Sequence, residues 1–194
     1  LVSDDGCERH KHVIVFGMLT TVVHFVRAFL EGITYDEAWT WGAVRGYDLW
    51  GVVTYEKFTF ANNHLLNSLW VGLVQWAAPD SLFLMRLPQL LMFPVFLFGL
   101  YLLLKSPRLR DFRFAGLILV VLHPVVFRTF SQARGYALAV TTMAWALVFA
   151  LYFTDGHRRR YLVASLGCGV VSALALFSFV HFLGALTAVL GFYQ

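Results

Sequence analysis

Long apolar runs separated by short polar clusters set the pattern of this chain. Five of the runs, His12 to Leu30, Leu87 to Leu104, Phe112 to Arg128, Gly135 to Thr154 and Tyr161 onward, approach the roughly 20 helical residues that cross a hydrocarbon core about 30 Å thick. The last, Tyr161 to Gln194, is 34 residues long. It fits either one long tilted helix followed by a further segment or two spans broken near Ser178 to Gly184. A sixth stretch, Leu65 to Ala78, has only 14 residues and contains Asn67, Ser68 and Gln75, so it reads as an interfacial or buried helix that does not span. The pattern predicts an all-α, polytopic helical membrane protein.

Composition agrees: 59% of the 194 residues are apolar and 13% charged, where an ordinary soluble domain has roughly 45–50% and about 25%. A water-soluble core cannot hide that much apolar surface, which excludes soluble function classes. The net charge of +4 comes from basic clusters between the runs, a pattern that orients a chain in a bilayer and gives no reason to invoke nucleic acid. Arg9 and Lys11 precede the first run; Lys105, Arg108, Arg110 and Arg113 follow the second; Arg158, Arg159 and Arg160 follow the fourth. All nine fall on the cytoplasmic side if Leu65 to Ala78 does not cross. Residues 1–11 are then a cytoplasmic tail, and 12–194 form a transmembrane domain with one external loop, 31–86. That loop holds Glu31, Asp36, Glu37, Asp48, Glu56 and Asp80 but only Arg45, Lys57 and Arg86 as Lys or Arg. It is also rich in Trp and Tyr, whose rings suit the headgroup layer. The first residue is Leu and the chain stops while still apolar, so it reads as part of a longer protein.

Candidate chemistry gathers at the outer ends of the runs. Asp36-Glu37 lies just past the first, where the acids either cap a short interfacial helix or hold a carboxylate ready to take a proton from a substrate hydroxyl. Asn62-Asn63-His64-Leu65-Leu66-Asn67-Ser68 collects amides, an imidazole and a hydroxyl, or is simply a turn and helix cap. Arg86-Leu87-Pro88 begins the second run, with Pro88 expected in the first helical turn and Arg86 otherwise a snorkelling interfacial residue. Ser131-Gln132-Ala133-Arg134-Gly135-Tyr136 joins the third and fourth runs on the same side, otherwise an external turn. Elsewhere, Cys7, His10 and His12 have a spacing that suits a metal but read as a flexible basic tail. His123-Pro124 marks a kink, and His181 either lines a cavity or is a satisfied buried histidine. Ser165-x-x-x-Gly169 is a small-residue packing face.

An acidic pair after the first span, an Asn-Asn-His-x-Leu-Asn-like interfacial helix, Arg-Leu-Pro at the next span and Ser-Gln-x-Arg-x-Tyr-Ala-Leu follow in order. In this order the chain resembles the membrane-embedded glycosyltransferases of the GT-C class, in the group containing protein O-mannosyltransferases and aminoarabinose transferases. The resemblance runs from about His12 to Tyr136. It implies a GT-C-like transmembrane core with juxtamembrane helices in the external loop. It also implies an inverting sugar transfer from a polyprenyl-phosphate donor to a hydroxyl-bearing acceptor. Asp36 is then the catalytic carboxylate with Glu37 beside it, Arg86 and Arg134 face the donor phosphate, and Asn63, His64 and Tyr136 bind substrate. Leu65 replaces the proline that follows this position in many relatives, and Ala133 stands where many have Glu, so no second carboxylate, metal or cofactor is implied. The implied location is a bacterial plasma membrane with the site outside. From a different class, a non-catalytic lipid-linked sugar transporter or scaffold subunit also fits this composition, although a transporter is expected to place ionisable residues at mid-bilayer.

Overall fold

The computed structural model describes residues 5–45, 49–54, 64–79, 81–105 and 113–193; Asn62, Asn63, Asp48 and Asp80 lie outside them. Among the described residues every regular element is helical. Helix α1 (Asp5–Leu30) leads into α2 (Tyr35–Val44), α3 (Leu49–Val53) and α4 (Leu65–Ala77), followed by α5 (Leu82–Leu104), α6 (Arg113–Val121) and α7 (Pro124–Thr129). The chain then continues through α8 (Tyr136–Gly156), α9 (Arg159–Ala175), a short 3-10 turn (Phe177–Phe179) and α10 (Val180–Gly191). Among the described residues three helices are long and apolar enough to cross a membrane: Lys11–Leu30, Leu82–Leu104 and Tyr136–Gly156.

Local chemistry explains where these helices start and stop. The second run begins five residues earlier than the apolar pattern suggests, because Ser81 caps α5 by accepting from the Leu84 N–H at 3.2 Å, which satisfies an orphan donor of the first turn. Pro88 therefore sits inside the helix, and the expectation of a first-turn proline is corrected. Having no N–H, Pro88 leaves the Leu84 carbonyl four residues back without its helical donor. The Trp70 indole of α4 supplies one at 2.8 Å.

The third run is not one continuous helix. Pro124 disfavours helical geometry in the residue before it, and His123 is extended (φ −58°, ψ 126°), so α6 ends and α7 restarts with Pro124 at its first position. The kink read at His123-Pro124 is thus a full break. The final run breaks at Leu176 (φ −146°, ψ 108°), just before the range expected. The cap is made by the Leu176 N–H, which donates back to the Ser172 carbonyl. At the other terminus, the stretch expected as a flexible tail is helical from Asp5. His181 is exposed on α10.

Helix α1 packs antiparallel to α5 and α8 antiparallel to α9, while α5 and α8 run parallel. Helices α8 and α9 meet through small residues: Ser165 donates to the Ala146 carbonyl and Ser172 to that of Ala139, both at 2.8 Å. Such close backbone approach and polar cross-links hold helices together where lipid removes the hydrophobic driving force. Gly169 faces Leu183 and Leu186 of α10 so closely that a Cβ would lie 2.9 Å from the Leu183 side chain. Phe93, Phe96 and Phe130 form an aromatic core between α5 and the α7–α8 connection. The arrangement brings the C-terminal ends of α1 and α9 together with the N-terminal ends of α2, α4, α5 and α8. Helix α4 stays at this end, bound to α2 through Gln75 and the Trp41 carbonyl at 2.5 Å and to α5 through Trp70.

Candidate functional site

Two neighbouring acids, Asp36 and Glu37, open α2, and the structure gives them opposite environments. Glu37 is fully buried. Its Oε1 accepts from Arg86 Nε at 2.8 Å and the Ala133 N–H at 2.7 Å; its Oε2 accepts from an Arg86 terminal nitrogen at 2.7 Å and the Thr34 N–H at 2.9 Å. The Thr34 contact is the reciprocal half of a capping box at the start of α2. Burial pushes the Glu37 carboxyl pKa up, but the hydrogen bonds from Arg86, Ala133 and Thr34 and the Arg86 charge outweigh it, leaving the pKa below its ordinary value.

Arg86 is equally committed. Besides Glu37, its guanidinium donates to the carbonyls of Ala28 (2.9 Å), Glu31 (2.6 Å) and Gly32 (2.8 Å). These account for all five guanidinium N–H groups, and the residue is 0% exposed. The expectation that Arg86 faces a donor phosphate gives way to this geometry, which leaves it no donor for a ligand. Glu37, with both oxygens accepting twice, likewise has no free position to take a substrate proton. The pair ties the end of α1, the start of α2 and α5 together.

It also fixes the α7–α8 connection. Ala133 is held from both sides: its N–H donates to Glu37 and its carbonyl accepts from Asn67 Nδ2 at 2.9 Å, while Gln89 donates to Asn67 Oδ1 at 2.5 Å. Asn67 and Gln89 are buried, so this polar chain is satisfied internally, as buried polar groups must be. One residue later, Arg134 leaves this fixed backbone and forms an ion pair with Asp36, their side chains 28% and 39% exposed. Arg134 Nε is buried without a hydrogen-bond partner.

His64, at the start of α4, completes the cluster. Its ring meets Tyr136 edge-on at 4.8 Å between centroids. Nδ1 is buried and has no partner. Burial lowers the imidazole pKa; the Ala175 backbone and Asp36 raise it and Arg134 lowers it, with a net fall. Gly135 has no alternative here, since a Cβ would collide with the Ala175 carbonyl oxygen and lie 2.8 Å from His64 Cβ.

Of the residues the sequence singled out, Asp36, Arg134, His64 and Tyr136 thus come together, Glu37 and Arg86 lie behind them as a closed pair, and Asn63 is outside the described residues. Asn67 belongs to the amide-rich motif the sequence singled out, whereas Gln89 and the Ala133 backbone, which also set the site's position, were not singled out as functional. Among the described residues no group of His, Cys, Asp or Glu is placed to hold a metal ion. A cleft of about 670 Å³ between α1 and α5, lined by apolar residues including Met18, Pro94 and Leu97, suits a hydrocarbon chain. It includes none of the site residues. No family model, curated protein or solved structure matches this chain.

Proposed function

We propose that this protein is a membrane glycosyltransferase that moves a sugar from a polyprenyl-phosphate donor to an acceptor hydroxyl, with Asp36 as the base and Arg134 as the phosphate ligand. The observation that carries this reading is the division between the two acid–arginine pairs. One is sealed and saturated; the other, Asp36–Arg134, is partly exposed.

In the reaction, the acceptor oxygen attacks the anomeric carbon while the bond from that carbon to the phosphate oxygen breaks. The bonding pair leaves with the phosphate and the hydroxyl proton passes to Asp36, giving inversion. A positioned base contributes roughly 10²- to 10⁴-fold. The charge that grows on the leaving phosphate meets Arg134, whose planar fork suits two phosphate oxygens. Substrate phosphate drawing Arg134 toward itself frees the Asp36 oxygen for the proton. The bilayer delivers the donor's lipid tail, and the basic residues Lys11, Lys105 and Arg158 to Arg160 lie toward the opposite end of the helices, consistent with a site on the outer side.

The test is transfer from a panel of short-chain prenyl-phosphate hexoses by the protein reconstituted in vesicles. Turnover that Arg134→Lys lowers about ten-fold or more, roughly 1.4 kcal/mol of transition-state stabilisation, supports the reading. Donor binding without transfer in the wild type supports a lipid-linked sugar carrier instead.

A further inference from the structure

Helices α1 and α5 are pinned together at one end and leave a cleft toward the other. On the side of Asp36 and Arg134, Phe29 stacks on Phe83 at 4.5 Å and Arg86 donates to the Ala28, Glu31 and Gly32 carbonyls. Further along, His24 meets Phe93 at 4.1 Å between centroids. Beyond that contact opens the apolar cleft of about 670 Å³, walled by Ile14, Met18 and Val22 of α1 and by Pro94, Leu97 and Tyr101 of α5. Gly17 leaves part of the wall without a side chain, and the Thr21 hydroxyl is turned to the Gly17 carbonyl at 2.7 Å. From Val13 to Val22 the cleft follows α1 for nine helical steps. At about 1.5 Å each these make roughly 14 Å, half of a hydrocarbon core about 30 Å thick.

Both walls of the cleft end on a lysine. In α1, Lys11, Ile14, Met18 and Val22 follow one another at helical spacings of three and four residues, and in α5 so do Pro94, Leu97, Tyr101 and Lys105. Each lysine therefore lies on the helix face that lines the cleft, and Lys105, the C-cap, keeps helical geometry (φ −71°, ψ −16°). Because α1 and α5 are antiparallel, both lysines fall at the end away from Asp36 and Arg134, and both are exposed. We propose that the cleft holds an acyl chain of an anionic phospholipid from the leaflet at the lysine end, with Lys11 and Lys105 meeting its phosphate. Length selects a lipid: the cleft stops at His24 and Phe93 after the depth of one leaflet, whereas a helix packed against α1 would run across the whole span. Charge selects the headgroup, because each lysine near the membrane surface attracts an anionic lipid while its stem covers apolar wall. The site lies at the opposite end from the proposed sugar transfer and does not depend on it.

Native mass spectrometry of the protein released from dodecyl maltoside counts the lipids that it retains. Delipidated protein is titrated in parallel with dioleoyl phosphatidylglycerol and dioleoyl phosphatidylcholine, which share their chains and differ in headgroup charge. A first phosphatidylglycerol is expected to bind at a half-saturating concentration at least about five-fold below that of phosphatidylcholine, since two lysines flank the headgroup. Lys11→Gln combined with Lys105→Gln should bring the two lipids level. Gly17→Leu, which fills the cleft from its wall, should weaken retention of both lipids at least about five-fold, with the melting temperature kept because leucine is the better helix former.

Arg158→Gln, Arg159→Gln and Arg160→Gln together remove cations from the same end of the helices but none from the cleft, and are expected to leave the preference for phosphatidylglycerol intact. Equal affinity for the two lipids overturns the proposal, as does a preference that survives the double lysine variant. So does a preference that the triple arginine variant abolishes, which would show diffuse attraction to the whole basic end, or unchanged retention in Gly17→Leu. A dimer that forms only when phosphatidylglycerol is absent would assign the cleft to a second copy of the chain and also overturn it. Binding is read with no sugar donor present, so the lipid site can fail while transfer stands, and transfer can fail while the lipid site stands.

Discussion

Arg86 grips Glu37 through two parallel contacts of 2.8 and 2.7 Å with both side chains wholly buried. This pair shows why adjacent acids in one short helix have different duties. Glu37 at the third helical position points inward to cap α2 and meet α5; Asp36, one residue earlier, points to the rim and meets Arg134.

Breaking the buried pair on one side should be severe. Glu37→Gln leaves the Arg86 charge uncompensated, and we expect a loss of about 3–5 kcal/mol in unfolding free energy measured in detergent. Adding Arg86→Met to Glu37→Gln should recover much of that loss, because no lone charge remains. Equal loss in the double variant would show that the Arg86 bonds to the Ala28, Glu31 and Gly32 carbonyls matter more than its charge.

The same pair sets an acid limit. The folded-state pKa of Glu37 lies below its ordinary value, so its contribution to stability is full above the unfolded pKa of about 4.3 and is lost as pH falls through the lower folded value. Melting temperature followed downward from neutral pH should gain a steeper fall below about pH 4.3, and Glu37→Gln should remove that part of the slope. An unchanged slope in Glu37→Gln would place the acid sensitivity elsewhere.

His24 tests the cost of an orphaned polar group. It is 0% exposed, packed among Phe93, Phe127 and Phe130 at centroid distances of 4.1, 4.7 and 5.9 Å, and neither ring nitrogen has a partner. An unmet buried group costs about 1–3 kcal/mol. His24→Leu, close in volume, should raise the melting temperature, by a net of about 1 kcal/mol after repacking losses. A clear fall would mean that the imidazole gains a partner in the membrane.

Gly135 should be intolerant. Its neighbours are the Ala175 backbone and His64, neither of which can swing aside as a flexible side-chain tip could. Gly135→Ala should cost about 1–3 kcal/mol and increase the diethyl pyrocarbonate reactivity of His64. Normal stability would show that the α8–α9 ends have slack.

Much of the architecture is legible in sequence because apolar run length directly reports helices: the first, second and fourth runs are the three span-length helices. The third and fifth runs read as long only because hydropathy ignores backbone geometry. Pro124 breaks one, a visible signal that needed more weight; the break at Leu176 has no local mark in the sequence. In the site, Asp36, Arg134, His64 and Tyr136 were legible as polar residues at run ends. The partition of Asp36 from Glu37 was not, since it depends on which side of a short helix faces Arg86. Gln89 passed unnoticed, and Asn67 was read only as one amide of a candidate cluster, because their partners are each other and a backbone carbonyl.

The most direct measurement is sugar transfer from prenyl-phosphate hexoses by Asp36→Asn, read beside its melting temperature. Asparagine keeps the shape but cannot take the proton. The account expects transfer to fall at least about 10²-fold with the melting temperature close to wild type, because a partly exposed ion pair adds little stability. Near-normal transfer by Asp36→Asn, or a wild-type protein that turns over no donor, would contradict it.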